Sequence, residues 1–418
     1  MNAHIITIGD EILIGQTVNT NAAFIGEVLS ENQVTIRKNS TVGDEKEIIL
    51  SEFKDAWDNS DLIIVTGGLG PTHDDITLSC VVDFFQTSLV MNEDVLDDIK
   101  KRFQRLNRAL SQVNENQALV PAISTPIRNK FGTAPGCWIE KDNKYFVVMP
   151  GVPFEMKEMM NTFVVPKLKT LVSGNKYFIK KTTLLTTGIA ESTLFEKFGD
   201  LDEMLEGAKL AFLPSQFGVK LRVTVTEPTQ AATEAKLSDI VQKIRSIAGR
   251  YIYGKDEDDL AEVVGRLLRE RNMTIAVAES CTGGNISNCL TNFSGSSEFF
   301  ERGIVSYSNA AKVEILNVDE DLIGKYGAVS YEVARQMAEG VKSISGTDIG
   351  LSITGILGPT GGTPDKPVGT VFIGYCDTTV CTATKFQFGD DRILNKQRAT
   401  QSALAILRKA LLGIPFDA

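Results

Sequence analysis

The stretch Ile275–Gly284, Ile-Ala-Val-Ala-Glu-Ser-Cys-Thr-Gly-Gly, constrains this chain more than any other. Its short apolar opening predicts a buried strand. The glycine pair and the following Asn285-Ile-Ser-Asn-Cys-Leu290 predict a tight turn into a helix. Ser280 and Thr282 therefore fall where a strand becomes a helix. Free N–H groups at a helix start can hold an anion or a developing oxyanion, and Gly283 and Gly284 let a ligand approach the backbone closely. The same pattern also arises when Ser280 or Thr282 merely caps the helix.

A hydroxyl nucleophile needs a base, and a lysine serves once burial lowers its pKa. Lys312 and Tyr307 lie in Val-Ser-Tyr-Ser-Asn-Ala-Ala-Lys, residues 305–312, after a second short apolar run. Tyr307 could donate a hydrogen bond or relay a proton. Cys281 is a rival nucleophile, favoured by its place at a helix start.

The N-terminal third carries a second chemical centre. Residues 4–9, 34–38 and 61–65 predict strands, and residues 22–31 and those following Gly43-Asp44 predict helices, an alternation that gives an α/β domain with helices on both faces of its sheet. Ligands in such folds lie at the carboxyl ends of strands, where Asp10, Asp44 and the loop 66–75 are expected. That loop, Thr-Gly-Gly-Leu-Gly-Pro-Thr-His-Asp-Asp, can cradle phosphate on its backbone N–H groups. Its two aspartates can hold a hard divalent ion. The alternative is a tight turn ahead of an acidic helix start, and His73 is either a base or a surface residue.

The chain of 418 residues is long enough for two or three domains. A net charge of −10 argues against non-specific binding to nucleic acid or anionic membrane. No apolar run reaches bilayer-spanning length, and Asp10 and Glu11 interrupt the first apolar run, unlike a signal peptide. Six cysteines without a Cys-x-x-Cys pair, beside only two histidines, predict free thiols in a reducing cytoplasm rather than a zinc site.

Further elements follow from periodicity. An amphipathic helix is expected within 92–116, a buried strand at 145–149 and a helix at 154–172 interrupted near Pro166. Alternation at Val219, Leu221, Val223 and Val225 predicts a half-buried strand, and Leu237, Ile240, Val241 and Ile244 one helical face. Further on, Ser330 reads as a helix cap, 349–354 as a strand, 369–375 with 382–388 as a hairpin, and Ala399, Ala403, Ile406 and Leu407 as one face of the last helix.

The motifs at 278–284, 299–303, 307–312, 327–330 and 354–359 together resemble the C-terminal domain of the CinA family. That resemblance implies an α/β amidohydrolase acting on nicotinamide mononucleotide (NMN), which releases ammonia and nicotinate mononucleotide and requires no cofactor. It implies Ser280 as nucleophile, Lys312 as base and Tyr307 as an assisting group. It places Glu279, Thr282, Gly283, Gly284, Gly358, Thr363, Arg392 and Arg398 about the substrate. Where the family tends to have Gly-Asp-Arg and a second arginine, this chain has Gly389-Asp-Asp-Arg392, then Lys396 and Arg398, so the phosphate-binding cation stays open among the three.

The N-terminal part resembles the same family's three-layer, molybdopterin-binding-like domain through Gly9–Gly15, Asn19-Thr-Asn21, Val42-Gly-Asp44, Thr66–Asp75, residues 116–121 and 129–136, and Pro150–Met156; Glu-Ile-Leu-Ile at 11–14 replaces the usual Glu-Leu-Leu. It implies metal-dependent hydrolysis of ADP-ribose to AMP and ribose 5-phosphate. Gly67, Gly68, Gly70, Thr72, Asp10 and Asn21 would bind substrate, and Asp44, Asp74 and Asp75 a divalent ion such as Mg, Mn or Co. The segment between resembles the family's small α+β KH-like linker domain but lacks the Gly-x-x-Gly loop that clamps nucleic acid. The expected division is 1–174, 175–252 and 253–418, in a cytoplasmic homodimer with no nucleic-acid or membrane partner. The alternative is a molybdopterin-binding or competence-associated interaction protein with one or both sites inactive.

Overall fold

A computed structural model describes residues 1–72, 75–171 and 177–416. The chain divides into two compact units, Met1–Ile179 with Glu227–Gln230, and Lys180–Thr226 with Ala231–Ala418.

The first unit is built on a six-stranded sheet. Strands Thr35–Val42, Asn2–Ile8, Leu62–Thr66 and Lys144–Met149 run parallel in that spatial order, and Gly136–Lys141 and Ser124–Ile127 continue antiparallel. Side-chain alternation splits the core into two layers. Ile5, Ile64 and Val147 face the helices Thr20–Glu31 and Pro153–Met159, whereas Ile6, Ile63, Val65, Phe146 and Val148 face Lys46–Asn59 and Thr77–Phe85. This is the expected three-layer arrangement. The acidic and glycine-rich loops leave the carboxyl ends of the two central parallel strands, Asn2–Ile8 and Leu62–Thr66.

Two local expectations change. The segment 92–116 forms two helices, Glu93–Arg105 and Gln112–Asn116. The helix interruption begins before Pro166, as a π turn over Met160–Val164 between Pro153–Met159 and Val165–Leu171. Pro166 has no N–H to give the preceding turn, and the wider turn precedes it. His73, Asp74 and the expected boundary at 174–175 lie outside the described residues.

The second unit contains two sheets. Residues from the KH-like segment form a four-stranded sheet ordered Lys209–Ser215, Gly218–Glu227, Phe178–Thr186 and Ile252–Lys255, covered by the helix Gln230–Ala248. The strand Lys209–Ser215 had no clear alternation to announce it, because its residues are mostly half-buried. Arg408 of the last helix, Arg392–Leu411, donates to the carbonyl oxygens of Arg250 and Ile252, tying the two sheets into one unit.

The larger sheet has five strands. Phe300–Val305, Ile275–Glu279 and Ile349–Gly355 are parallel, followed by the antiparallel hairpin Thr370–Cys376 and Cys381–Gln387. Ile275, Val277, Leu351 and Ile353 pack under the last helix, while Ala276 and Ala278 face the helix Tyr331–Ser345. Small residues on that second face admit the helix closely; a Cβ at Gly350 would lie 2.0 Å from the Ala338 carbonyl oxygen. The expectation of free thiols holds for Cys80, Cys137, Cys281 and Cys289 but not for Cys376 and Cys381, which are disulfide-bonded. The hairpin register sets those two directly opposite each other, a tertiary fact that sequence separation conceals.

Candidate active sites

The strand Ile275–Glu279 delivers Ser280 at its carboxyl end, where the Ser280 N–H bonds the Ile353 carbonyl of the neighbouring strand. The helix Asn309–Leu316, capped by the Ser308 side chain, brings Lys312 back to the same end. Lys312 is 1% exposed, and its Nζ lies 3.1 Å from Ser280 Oγ, 2.9 Å from the Ser306 carbonyl and 3.3 Å from the Tyr307 carbonyl. Burial pulls the Lys312 ammonium below its ordinary pKa of 10.5. A neutral amine fits this environment well. Two N–H groups satisfy two carbonyls and the lone pair is left for the serine proton.

Glu279 departs from expectation. It is fully buried, and its carboxylate accepts from the N–H groups of Gly284, Ile286 and Ser287 and from the Ser287 hydroxyl. Both oxygens are engaged in capping the helix Asn285–Thr291, so Glu279 orders the turn that carries Ser280. That cap also removes the helix N-terminus as an oxyanion site. In the turn itself, the N–H groups of Cys281 and Thr282 have no oxygen acceptor among the described residues and lie against the Cys281 thiol. The Thr282 hydroxyl is likewise buried without a partner. Cys281 lies beside them, but burial pushes its thiol up to about 12, which disfavours the thiolate a rival nucleophile requires.

Tyr307 is 62% exposed and its hydroxyl meets Arg392 at 3.1 Å, not Ser280 or Lys312. Arg392 also donates to the Gly358 carbonyl at 2.9 Å, which draws the loop after strand Ile349–Gly355 toward Tyr307. Lys396, one turn further along the helix, places its Nζ 3.7 Å from where a Cβ of Gly283 would stand. Arg398 departs from expectation, because its position on the helix carries it to the Gln216 carbonyl, away from this cluster. Thr363 sits in an exposed turn, where its hydroxyl accepts from the Lys366 N–H. Sequence reasoning missed Asn395, whose buried side chain donates to the Leu357 and Gly389 carbonyls and anchors the same loops. A polar residue four positions before Ala399 on an apolar helix face was the available signal.

In the first unit, Asp10, Asn21, Asp44, Gly67, Gly68, Gly70 and Asp75 line one cavity of about 1070 Å³. Gly67 and Gly68 have φ of +110° and +64°, and a Cβ on Gly67 would lie 2.0 Å from the Ile8 carbonyl oxygen, so the loop requires glycine there. Asp10 and Asp44 exchange bonds, each N–H donating to the other's carboxylate at 3.1 and 3.2 Å. Asp75 accepts from the Thr72 N–H and hydroxyl. Asn21 uses its amide nitrogen on the Gly151 carbonyl, and its buried side-chain oxygen has no partner. Burial, and then the charges of Asp10, Glu11 and Asp75, hold the Asp44 carboxyl above its ordinary pKa of 3.8. Asp44 and Asp75 offer the kind of oxygen ligand a hard divalent ion takes, but among the described residues the three side chains close enough to share one ion are His4, Glu52 and Asp55.

Three family models match in order: the probable molybdopterin binding domain over residues 4–170, the damage-inducible protein CinA KH domain over 181–254 and the CinA C-terminal domain over 257–411. A CinA-like protein of Chloroherpeton thalassium is 43% identical over 98% of this chain and 99% of its own length. The chain belongs to the CinA family. A CinA-like protein of Salinibacter ruber is 44% identical over 98% of this chain and all of its own. A solved CinA structure from Thermoplasma acidophilum shares 38% identity over 40% of this chain and 97% of its own, with a TM-score of 0.38. No helix among the described residues is long and apolar enough to cross a membrane.

Proposed function

We propose that the C-terminal part of this CinA-family chain hydrolyses the carboxamide of NMN to nicotinate mononucleotide and ammonia. The observation that carries this reading is the buried contact between Lys312 Nζ and Ser280 Oγ, in which the lysine's partners among the described residues are all neutral. Ser280 Oγ attacks the carboxamide carbon as Lys312 takes its proton. The tetrahedral oxyanion is held by the N–H groups of Cys281 and Thr282, for which loss of one donor costs about 3–4 kcal/mol of barrier. Lys312 returns the proton to the departing ammonia, leaving an acyl ester on Ser280. Water deprotonated by Lys312 then cleaves the ester and restores the serine. Arg392 and Lys396 supply positive charge for the ribose phosphate.

The test compares ammonia release from NMN by wild type and Ser280→Ala. Turnover that disappears in the variant supports the reading. Equal turnover in both, or none in a folded wild type, removes it.

A second reading concerns the first unit, and the cavity lined by Gly67, Gly68, Gly70, Asp44 and Asp75 favours it. Here the chain cleaves ADP-ribose to AMP and ribose 5-phosphate. The glycine loop offers backbone N–H groups to the diphosphate. Asp44 and Asp75, with Asp10 beside them, would hold a divalent ion that offsets diphosphate charge and lowers the pKa of a bound water. AMP release that stops with chelator and with Asp75→Ala is the expected result. Tight molybdopterin binding without turnover would favour the interaction-protein alternative.

A further inference from the structure

The last helix carries Arg398 and Arg408 away from Ser280, toward a separate cavity of about 570 Å³ between the KH-like sheet and the C-terminal sheet, inside the second unit. Arg250 and Lys409 also line it, and among the described residues no aspartate or glutamate does. Three arginines, Arg250, Arg398 and Arg408, converge there in a chain of net charge −10, which composition alone does not require. Arg408 is the informative one. It is 4% exposed, among the described residues its guanidinium bonds the carbonyls of Arg250 and Ile252, and the charge of Arg245 that acts on it is another cation. A buried cation is ordinarily retained with a counter-charge. Two of its five N–H donors are spent on carbonyls, which leaves donors for an anion.

The opposite character of the wall narrows the anion's identity. Phe386 on the last strand and Phe388 just past its end lie nearly parallel, 9° apart, and Phe217, 41% exposed, enters from the turn of the KH-like sheet. Rings beside guanidinium groups match a flat aromatic body carrying phosphate. The volume matches a small ligand rather than a polymer.

We propose that this cavity binds a mononucleotide, its phosphate on Arg250, Arg398 and Arg408 and its base against the phenylalanines. The site is separate from both candidate active sites, and the proposal stands whether or not either turns over substrate.

The experiment is photolabelling of the full-length protein with 8-azidoadenosine 5′-monophosphate, followed by peptide mapping. Label is expected on the peptides carrying residues 216–217 and 384–409, displaced by AMP and not by adenosine. Arg250→Ala removes a cation, and Ser402→Trp fills the cavity from the helix face that lines it. Each is expected to reduce that label at least about tenfold, the loss that one charge-assisted contact produces, with melting temperature and labelling of the first unit unchanged. Label confined to the first unit or the Ser280 turn, or label in this cavity that both variants leave intact, would overturn the proposal. Displacement by adenosine as effective as by AMP would overturn the phosphate assignment.

Discussion

Lys312 Nζ lies 3.1 Å from Ser280 Oγ, and no carboxylate pairs with it among the described residues. Burial sets the lysine's folded pKa below 10.5, against a smaller opposing pull from Cys281. Between the folded value and 10.5 the unfolded chain binds more protons, so this group makes stability rise with pH across that window. In Lys312→Met that dependence is absent. The melting-temperature difference between the two proteins is expected to move in favour of wild type as pH is raised from 7 toward 10.5. Ammonia release from NMN should fall about 10²–10⁴-fold in the variant. Wild-type kcat/KM should rise with pH and level off below 10.5.

Cys281 adjoins the nucleophile, yet burial raises its thiol to about 12. Cys281→Ala is expected to keep turnover within about threefold and to lose about 1 kcal/mol of stability, the usual size of a small core truncation. Ser280→Ala should lose at least about 10³-fold, as removal of a covalent nucleophile does. The reverse pattern would transfer the nucleophile's role to the thiol.

Glu279 holds three backbone N–H groups and one hydroxyl with two buried oxygens. Glu279→Gln sets an amide NH₂ against one of those donors. Denaturant unfolding should show a loss of about 2 kcal/mol, the scale of charged hydrogen bonds. Because the glutamate orders the turn that carries Ser280, kcat should fall more than KM rises. A pure rise in KM would return Glu279 to the substrate.

The strand–turn–helix at 275–291 was legible because an apolar run, two glycines and a polar helix start lie next to each other in sequence. The cap at Ser330 was legible for the same reason, and its side chain accepts from the Val333 N–H. Direction of a side chain was not legible. Glu279 and Ser280 are adjacent, and only the path of the helix Asn285–Thr291 decides that the first faces its N-terminus. Arg392, Lys396 and Arg398 stood equivalent until the helix phase sent the last one to Gln216. The Cys376–Cys381 bond depends on hairpin register, which spacing does not encode.

In the first unit, the raised pKa of Asp44 means that its ionised form costs the folded state stability above pH 3.8. Asp44→Asn is expected to melt higher than wild type at pH 7 in chelator, and the gain should vanish as pH falls below 3.8. Added divalent ion should raise the wild-type melting temperature more than the variant's. AMP release from ADP-ribose should fall at least about tenfold, the lower end for a metal-supporting group. An ion-dependent shift equal in both proteins would remove Asp44 from the ion's partners.

Arg392 links three parts of the candidate amidohydrolase site, joining the last helix to the Gly358 carbonyl and the Tyr307 hydroxyl. A lysine keeps the charge there but lacks the planar fork that reaches both partners. Arg392→Lys is therefore expected to retain phosphate attraction, with KM for NMN raised a few-fold and salt dependence kept. Arg392→Ala loses charge and fork together, and KM should rise at least about tenfold, the scale of one charge-assisted contact. Because neither change touches Ser280 or Lys312, kcat at saturating NMN should stay within a few-fold. If instead kcat collapses while KM holds, the Arg392–Tyr307 contact serves the proton transfer rather than the phosphate, and Tyr307→Phe should reproduce that collapse.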